Sequence, residues 1–450
     1  MPIRSGPKGF GAAAWRSVAS PAVLSRLDLR GVADADLASR LPRPNAAGDE
    51  PVAAVRSILA EVRTGGDAAV LALTSRFDGV ALPALSVPRE EWDAALERLD
   101  PDVRDGLHAA AASVLGFQHA ERTGDVVHEH AGIRTETRRV PVDRAGCYVP
   151  GGRAVYPSTV LMTVIPAKVA GVAHVAVCVP PGPGGKVPDV VLAAAAVAGA
   201  DAVHPVGGAQ AIAALAYGTE SIPAVDVIVG PGNVYVAVAK REVAGEGRVG
   251  VPSAFAGPSE VVVLADASVP PAYAAIDVVV QAEHGPDGLA WLVTWDEAVA
   301  DAVEAEVARI VLESPRRDVL ESTLGKAGVS VLVDTPEAAM VVANAIAPEH
   351  LELLGDGMDD LVGLVRHAGA VFVGPLSAAS IGDYYAGPSH VLPTFGSARY
   401  AGALTPDDFG KPVHVVSVSP EGLAAAAPHV IALAEAEGLP AHAESVRIRR

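Results

Sequence analysis

The sequence predicts an α/β protein made of two tandem doubly wound, incomplete Rossmann-like parallel-sheet domains, with small helical N- and C-terminal extensions. Three observations lead there. Strand-length apolar runs alternate with helix-length ones over most of the chain. The strand runs are nearly continuous in their apolar character, as in parallel sheets buried on both faces. The beat breaks once, near residues 245 to 259, where Gly, Pro and Ser accumulate. A length of 450 residues, half of them hydrophobic, leaves room for about three full-sized cores.

Taken in order, residues 1–46 read as a tail and a small helical extension. Arg4, Lys8 and Arg16 lie there without a continuous apolar run, so no signal peptide is expected. Residues 51–120 place apolar side chains at helical spacing and close on glycines. "IRTETRRVPV" (133–142) alternates as a strand does. A βαβ series follows: strand "HVAVCVP", helix "PDVVLAAAAVAGA", strand "AVHPV", helix "AQAIAALAYG", strand "VDVIVGP", helix "VYVAVAKREVAG". It resumes at "EVVVLAD" and runs through helix "AYAAIDVVVQAEHG", strand "LAWLVTWD", helix "DEAVADAVEAEVARIVLES", strand "VSVLVD" and helix "TPEAAMVVANAIA" to strand "AVFVG". Residues 404–450 read as a small helical tail. The expected division is 1–46, a first α/β domain from 47–147 plus 260–403, a second from 148–259, and the tail.

Charge excludes some functions. With 53 acidic against 34 basic residues the chain carries a formal −19, so nucleic acid is not an expected partner. The most apolar window, "VLMTVIPAKVAGVAHVAVCVP", is interrupted by Pro166, Lys168 and His174, which makes it core rather than a membrane span. Two cysteines, Cys147 and Cys178, fit a reducing cytoplasm without a disulfide framework.

Open α/β sheets bind ligands beyond the carboxyl ends of their strands. "YVPGG" (148–152), "GGAQ" (207–210) and "GPGN" (230–233) adjoin such ends, and each offers a closely approachable backbone with a polar side chain beside it. None is a G-x-G-x-x-G fingerprint, and each alone suits an ordinary tight turn. "QAEHG" puts Gln281 and His284 three apart on one helix face, where they could share a metal or merely end a helix. "GDYYAGPSHVLPT" adds Asp383 and His390, and the tail supplies Glu437 and His442 beside a helix end. In "IAPEHLEL", Pro348 suits the first position of a helix. Glu349 and His350 would then lie in its first turn, where the helix dipole lowers a histidine pKa and keeps the ring neutral, as a general base requires. The alternative is that Glu349 only caps that helix.

In combination, "YVPGG", "VGGAQAIAALAYGT", "GPGNVYVAVAK", "AGPSEVVVLAD", "QAEHG", "APEHLEL", "GDYYAGPSHVLPT" and "EAEGLPAH" resemble, in order and over about residues 50–450, the histidinol dehydrogenase family. The resemblance implies a homodimeric zinc enzyme that uses two NAD+ to oxidise L-histidinol through L-histidinaldehyde to L-histidine, the last step of histidine biosynthesis. It implies one Zn2+ per subunit held by Gln281, His284, Asp383 and His442, with Glu349 and His350 as the acid/base pair. Tyr148, Gln210 and Asn233 match the family's NAD contacts. Ser259, His350, Glu437 and the metal ligands match its substrate contacts, and His390 is placed beside them without an assigned role. Zinc and the acid/base residues would sit on the first α/β domain and NAD on the second, while His442 implies that the tail reaches the partner subunit. Ser253 and Ser389 depart from the family's usual residues. A related zinc and NAD dehydrogenase of another amino alcohol or polyol, and a zinc hydrolase using Glu349, are the alternatives.

Overall fold

The computed structural model describes residues 23–42, 51–152, 154–253, 259–283 and 288–450. Its larger sheet has six parallel strands in the order β1-β10-β9-β8-β11-β12. These are β1 (Ser25–Asp28), β8 (Glu260–Ala265), β9 (Leu289–Thr294), β10 (Gly328–Leu332), β11 (His350–Leu354) and β12 (Ala370–Val373). The smaller sheet has four parallel strands in the order β6-β5-β4-β7. They are β4 (Arg144–Tyr148), β5 (His174–Cys178), β6 (Ala202–His204) and β7 (Val227–Val229). Counted from the first strand of each βαβ run, both sheets follow the doubly wound order 3-2-1-4, with the switch point at β4/β7 in one and β8/β11 in the other. The nearly continuous apolar runs are buried as predicted: all six residues of β8 and of β9 are buried.

A third, antiparallel sheet, β13-β3-β2, joins β2 (Val126–His130), β3 (Ile133–Pro141) and β13 (Gly410–Val418). β3 was expected. β13 departs from the all-helical tail: "KPVHVVSV" alternates with both faces open to solvent, and pairing along the whole of β3 fixes it as a strand. The predicted tail helix follows at Pro420–Ala436, then a short one at Pro440–Arg447. At the other end, "SRLD" forms β1 on the edge of the larger sheet, held by β10, so the N-terminal extension is not only helical.

Packing also redraws the expected division. The helices Val52–Asp78, Arg89–Arg98 and Pro101–Glu121 pack on helices of the smaller sheet, not on the larger one. Within Val52–Asp78 the helix is kinked at Gly66, φ +54°. β4 begins before residue 148, so the smaller-sheet unit does too. Helical periodicity identified these segments but carried no information on which sheet their apolar stripes would cover.

Candidate active site

The smaller sheet places its glycine loops at the carboxyl ends of its strands. Tyr148 closes β4 and "GPGN" follows β7, so the two meet at the switch point. They meet so closely that a Cβ on Gly230 would fall 2.0 Å from the Tyr148 carbonyl oxygen, and φ is +102° there; only glycine fits. Asn233 caps the next helix, its Oδ1 accepting from the N–H of Tyr235 (3.0 Å) and Val236 (3.2 Å), which leaves its amide N–H groups for other partners. The Tyr148 hydroxyl accepts from the Gly208 N–H at 3.1 Å, and burial pushes its pKa up to about 12. Tyr148, Gln210 and Asn233 line one cleft of ≈ 890 Å³.

Under this loop lies Lys240, fully buried. Its Nζ donates to the carbonyls of Gly230 and, at 3.2 Å, Ser253, although burial pushes its pKa down to about 7. It ties the GPGN loop to the segment that leads into β8. Sequence reasoning missed it, but the signal was there: Lys240 is four residues after Val236, on the apolar face of its helix.

A second pocket, ≈ 350 Å³, shares Pro150 with the cleft and is lined by Gly230 and Gly232 of the GPGN loop. It is lined by Ser253, Ser259, Glu349, His350, Asp383 and His390 among others, so both sheets contribute to it. The expected helix at Pro348 does not form. The preceding helix, Pro336–Ile346, ends at Ala347 in the left-handed conformation (φ +57°), and "HLELL" then enters the sheet as β11. With Leu351 and Leu353 on one face and Glu352 on the other, period two outweighs the Pro signal. Glu349 and His350 thus stand at the amino end of a central strand, both buried.

The consequence for charge is the reverse of that expected. There is no helix dipole on His350: burial works to lower its pKa, but the carboxylates of Glu349 (3.8 Å from Nδ1) and Asp383 (3.6 Å from Nε2) more than offset this and hold it raised. Burial pushes the Glu349 carboxyl up, and His350, the Glu260 N–H and the Ser259 hydroxyl only partly counter it. Among the described residues neither ring nitrogen of His350 has a conventional hydrogen-bond partner. His390 completes the wall. Its Nδ1 lies 2.9 Å from the Asp383 carbonyl and its Nε2 3.2 Å from the Thr159 hydroxyl, so Thr159 is a further residue that sequence reasoning passed over.

Of the predicted metal ligands, Gln281 is buried at the end of the helix Pro271–Ala282. Asp383 is brought near that helix end: its neighbour Tyr384 feels the charge of Glu283, and Asp383 itself acts on the buried Glu352, which faces Asp277, one turn before Gln281. His284 lies outside the described residues. Glu437 and His442 are exposed on the tail and line neither pocket. Among the described residues no group of three or more His, Cys, Asp or Glu could hold a metal ion. Of the four predicted ligands, the described residues thus leave Gln281 and Asp383 at this end of the fold, two side chains with oxygen donors of the type that zinc accepts alongside histidine.

The two departures have structural roles. Ser389 is buried and donates to the Met162 carbonyl at 2.9 Å while accepting from the Val391 N–H at 3.2 Å, bracing the loop that carries His390. Ser253 stands at the pocket wall, where its carbonyl accepts from Lys240 Nζ at 3.2 Å and its buried hydroxyl has no partner among the described residues. Cys147 and Cys178 are free, wholly buried thiols, and burial pushes both pKa values up, Cys147 to about 12. No helix among the described residues is long and apolar enough to cross a membrane.

Comparison with known proteins agrees with this geometry. A family model described as histidinol dehydrogenase matches residues 41–450. Histidinol dehydrogenases from Synechococcus sp. and Parasynechococcus marenigrum are 48% and 46% identical over 88% and 87% of this chain and 92% and 89% of their own lengths. The crystal structure of histidinol dehydrogenase from Elizabethkingia anophelis superposes with a TM-score of 0.91 at 30% identity, covering 96% of this chain and 98% of that one. With a family match across both sheets, the site and the tail, this chain belongs to the histidinol dehydrogenase family.

Proposed function

We propose that the protein oxidises L-histidinol through L-histidinaldehyde to L-histidine with two NAD+, the closing reaction of histidine biosynthesis, and that it does so as a zinc-dependent homodimer in the cytoplasm. The observation that carries this reading is the convergence of Glu349, His350 and Asp383 in a small pocket that shares Pro150 with a larger cleft lined by Tyr148, Gln210 and Asn233. The smaller space suits an imidazole-bearing amino alcohol and the larger one a dinucleotide, within the usual range of ligand pockets.

Gln281, His284, Asp383 and His442 would hold the zinc, and Tyr148, Gln210 and Asn233 would contact NAD. When bound, the zinc supplies an electrophilic template for imidazole and amine, and NAD+ accepts the hydrides. The chain's own residues do the rest. His350 takes the alcohol proton, its basicity raised by the two carboxylates beside it. Glu349 takes a proton from the water that adds to the aldehyde. Ser259, hydrogen-bonded to Glu349, orients that carboxylate and borders the substrate. Neither cysteine is placed to form a thiohemiacetal, because both thiols are fully buried and held protonated.

The dimer is supported by the tail. Glu437 and His442 are needed at the pocket yet lie exposed on an arm of β13 and two helices, beside exposed Val416, Val418 and Leu433. Tyr384, which lines the pocket next to Asp383, is itself 61% exposed, and Leu376, seven residues before Asp383, is 85% exposed. An arm that covers these side chains of a second copy resolves both facts. The test is stoichiometric: L-histidinol with excess NAD+ should give two NADH per substrate, and a chelator should stop the reaction. One NADH removes the second oxidation; none removes the reading.

A further inference from the structure

Glu260 is the first residue of β8 and is buried. β8 and β11 are paired with His350 opposite Val261, so one step back the register sets Glu349 opposite Glu260. Alternation assigns both side chains to the sheet face of Val262, Leu264, Leu351 and Leu353. The Glu349 carboxylate accepts the backbone N–H of Glu260 itself at 3.2 Å. Two acids facing each other across adjacent buried strands repel, which a fold selected only for stability would avoid.

Glu260 is also cradled on its far side. Phe395 and Gly396, consecutive residues with φ +55° and +73°, turn their backbone N–H groups toward its carboxylate. The two N–H groups reach one carboxylate through this left-handed turn, and Phe395 adopts the conformation without glycine's freedom. Even so, Glu260 Oε2 has no hydrogen-bond partner among the described residues. Phe395 is 40% exposed, so the turn leads to solvent.

We propose that Glu260 is the proton acceptor behind Glu349 in aldehyde oxidation. The inference rests on the reading of Glu349 given above. One O–H bond of the attacking water breaks as its oxygen bonds the aldehyde carbon; that proton passes to the Glu349 carboxylate, on through one water to the unpartnered Oε2 of Glu260, and then to solvent at the Phe395–Gly396 turn. The hydrate's C–H hydride leaves to NAD+, the remaining proton is released, and Glu349 is ionised again. Burial, and then the facing Glu349, push the Glu260 pKa up to about 8, a range in which it can both take up and release a proton. Among the described residues, Glu349 is the ionisable group whose charge acts on it.

The test compares alcohol and aldehyde oxidation, each supplied as substrate, in wild type, Glu349→Gln and Glu260→Gln. The glutamine at 260 still accepts from the turn's N–H groups, so it keeps any structural pin. Aldehyde turnover should fall roughly tenfold in Glu260→Gln with alcohol turnover little changed. The wild-type aldehyde rate should rise with pH as Glu260 ionises, and the variant should lack that limb. Equal losses in both halves with an unchanged pH profile, or no loss, overturn the proposal. If Glu349→Gln spares the aldehyde half, the reading of Glu349 falls and the relay with it; if it slows that half and Glu260→Gln does not, the relay alone falls. Should Glu260→Gln not fold, the wild-type profile decides: a rising limb confined to the aldehyde half supports the relay, and its absence overturns it.

Discussion

The two parallel sheets share one strand order and use opposite ends. In the smaller sheet the loops at the carboxyl ends line the large cleft with Tyr148, Gly151, Gly208, Gln210 and Asn233, while at the β4/β7 switch point Gly230 packs on Tyr148 and lines the smaller pocket. In the larger sheet the equivalent crevice at β8/β11 is filled. Asp266 lies against Gly355, where a Cβ would come within 2.5 Å of its carboxylate, and it holds Ser268, whose hydroxyl accepts from the Asp356 N–H at 2.8 Å. Chemistry-bearing residues gather instead at the amino ends of β8 and β11: Ser259, Glu260, Glu349 and His350. A doubly wound order creates a crevice, then, but the side chains at each end decide whether it is kept. The smaller sheet offers backbone, suited to holding a ligand; the larger offers buried carboxyls, suited to moving protons.

The sharpest way to break that contrast is Glu349→Gln. Aldehyde oxidation should fall by about three orders of magnitude and alcohol oxidation by far less; separate assays of the two substrates check it, and equal losses would deny the larger sheet a distinct acid/base role. The arm adds a third contributor. His442→Ala alone should abolish most activity, yet refolding it together with Glu349→Gln subunits should restore about a quarter of wild-type turnover, since a crossed dimer keeps one intact site. No recovery would place His442 in the pocket of its own subunit or outside the site.

On the smaller sheet, Gly230→Ala forces a Cβ into the Tyr148 carbonyl at positive φ. It should cost about 1–3 kcal/mol of stability by denaturant titration and raise the KM for both histidinol and NAD+, because Gly230 lines the smaller pocket while packing on Tyr148 of the cleft. An unchanged KM for either would mean that the switch point does not shape both spaces. The smallest effect concerns pH. Glu260 has a folded pKa near 8 against an ordinary 4.5, so the folded state binds the extra proton, and stability from this group is full below about 4.5 and lost as pH rises through 8. Glu260→Gln should therefore gain on wild type between pH 5 and pH 8.5, by at most a few kcal/mol at ~1.4 kcal/mol per unit. A constant difference across that range would show that Glu260 is not buried as a proton-binding group.

What was legible in the sequence was what local pattern encodes. The βαβ beat gave both sheets, and "YVPGG", "GGAQ" and "GPGN" fell at strand ends as read, because apolar periodicity and glycine are properties of neighbouring residues. The family motifs named Glu349, His350 and Asp383, which the fold brings together. The same local reading failed at Pro348, where a helix-start signal competed with a strand alternation five residues long. It also passed over Lys240, although helical spacing sets it on the apolar face of its helix, and it could not find Glu260 as a buried charge, since in a linear chain that is only one polar residue beside apolar neighbours.

The amino-acid order by itself determined the element types, the apolar faces and the positions where only glycine serves, since these follow from backbone sterics and side-chain spacing over a few residues. Tertiary structure alone decided which sheet the helices of residues 52–121 cover, that β13 pairs with β3, and that Glu260 stands opposite Glu349. Those outcomes depend on partners far apart in the chain, 89 residues for Glu260 and Glu349, and it is their shared burial, not any local preference, that sets the charge of the groups they bring together.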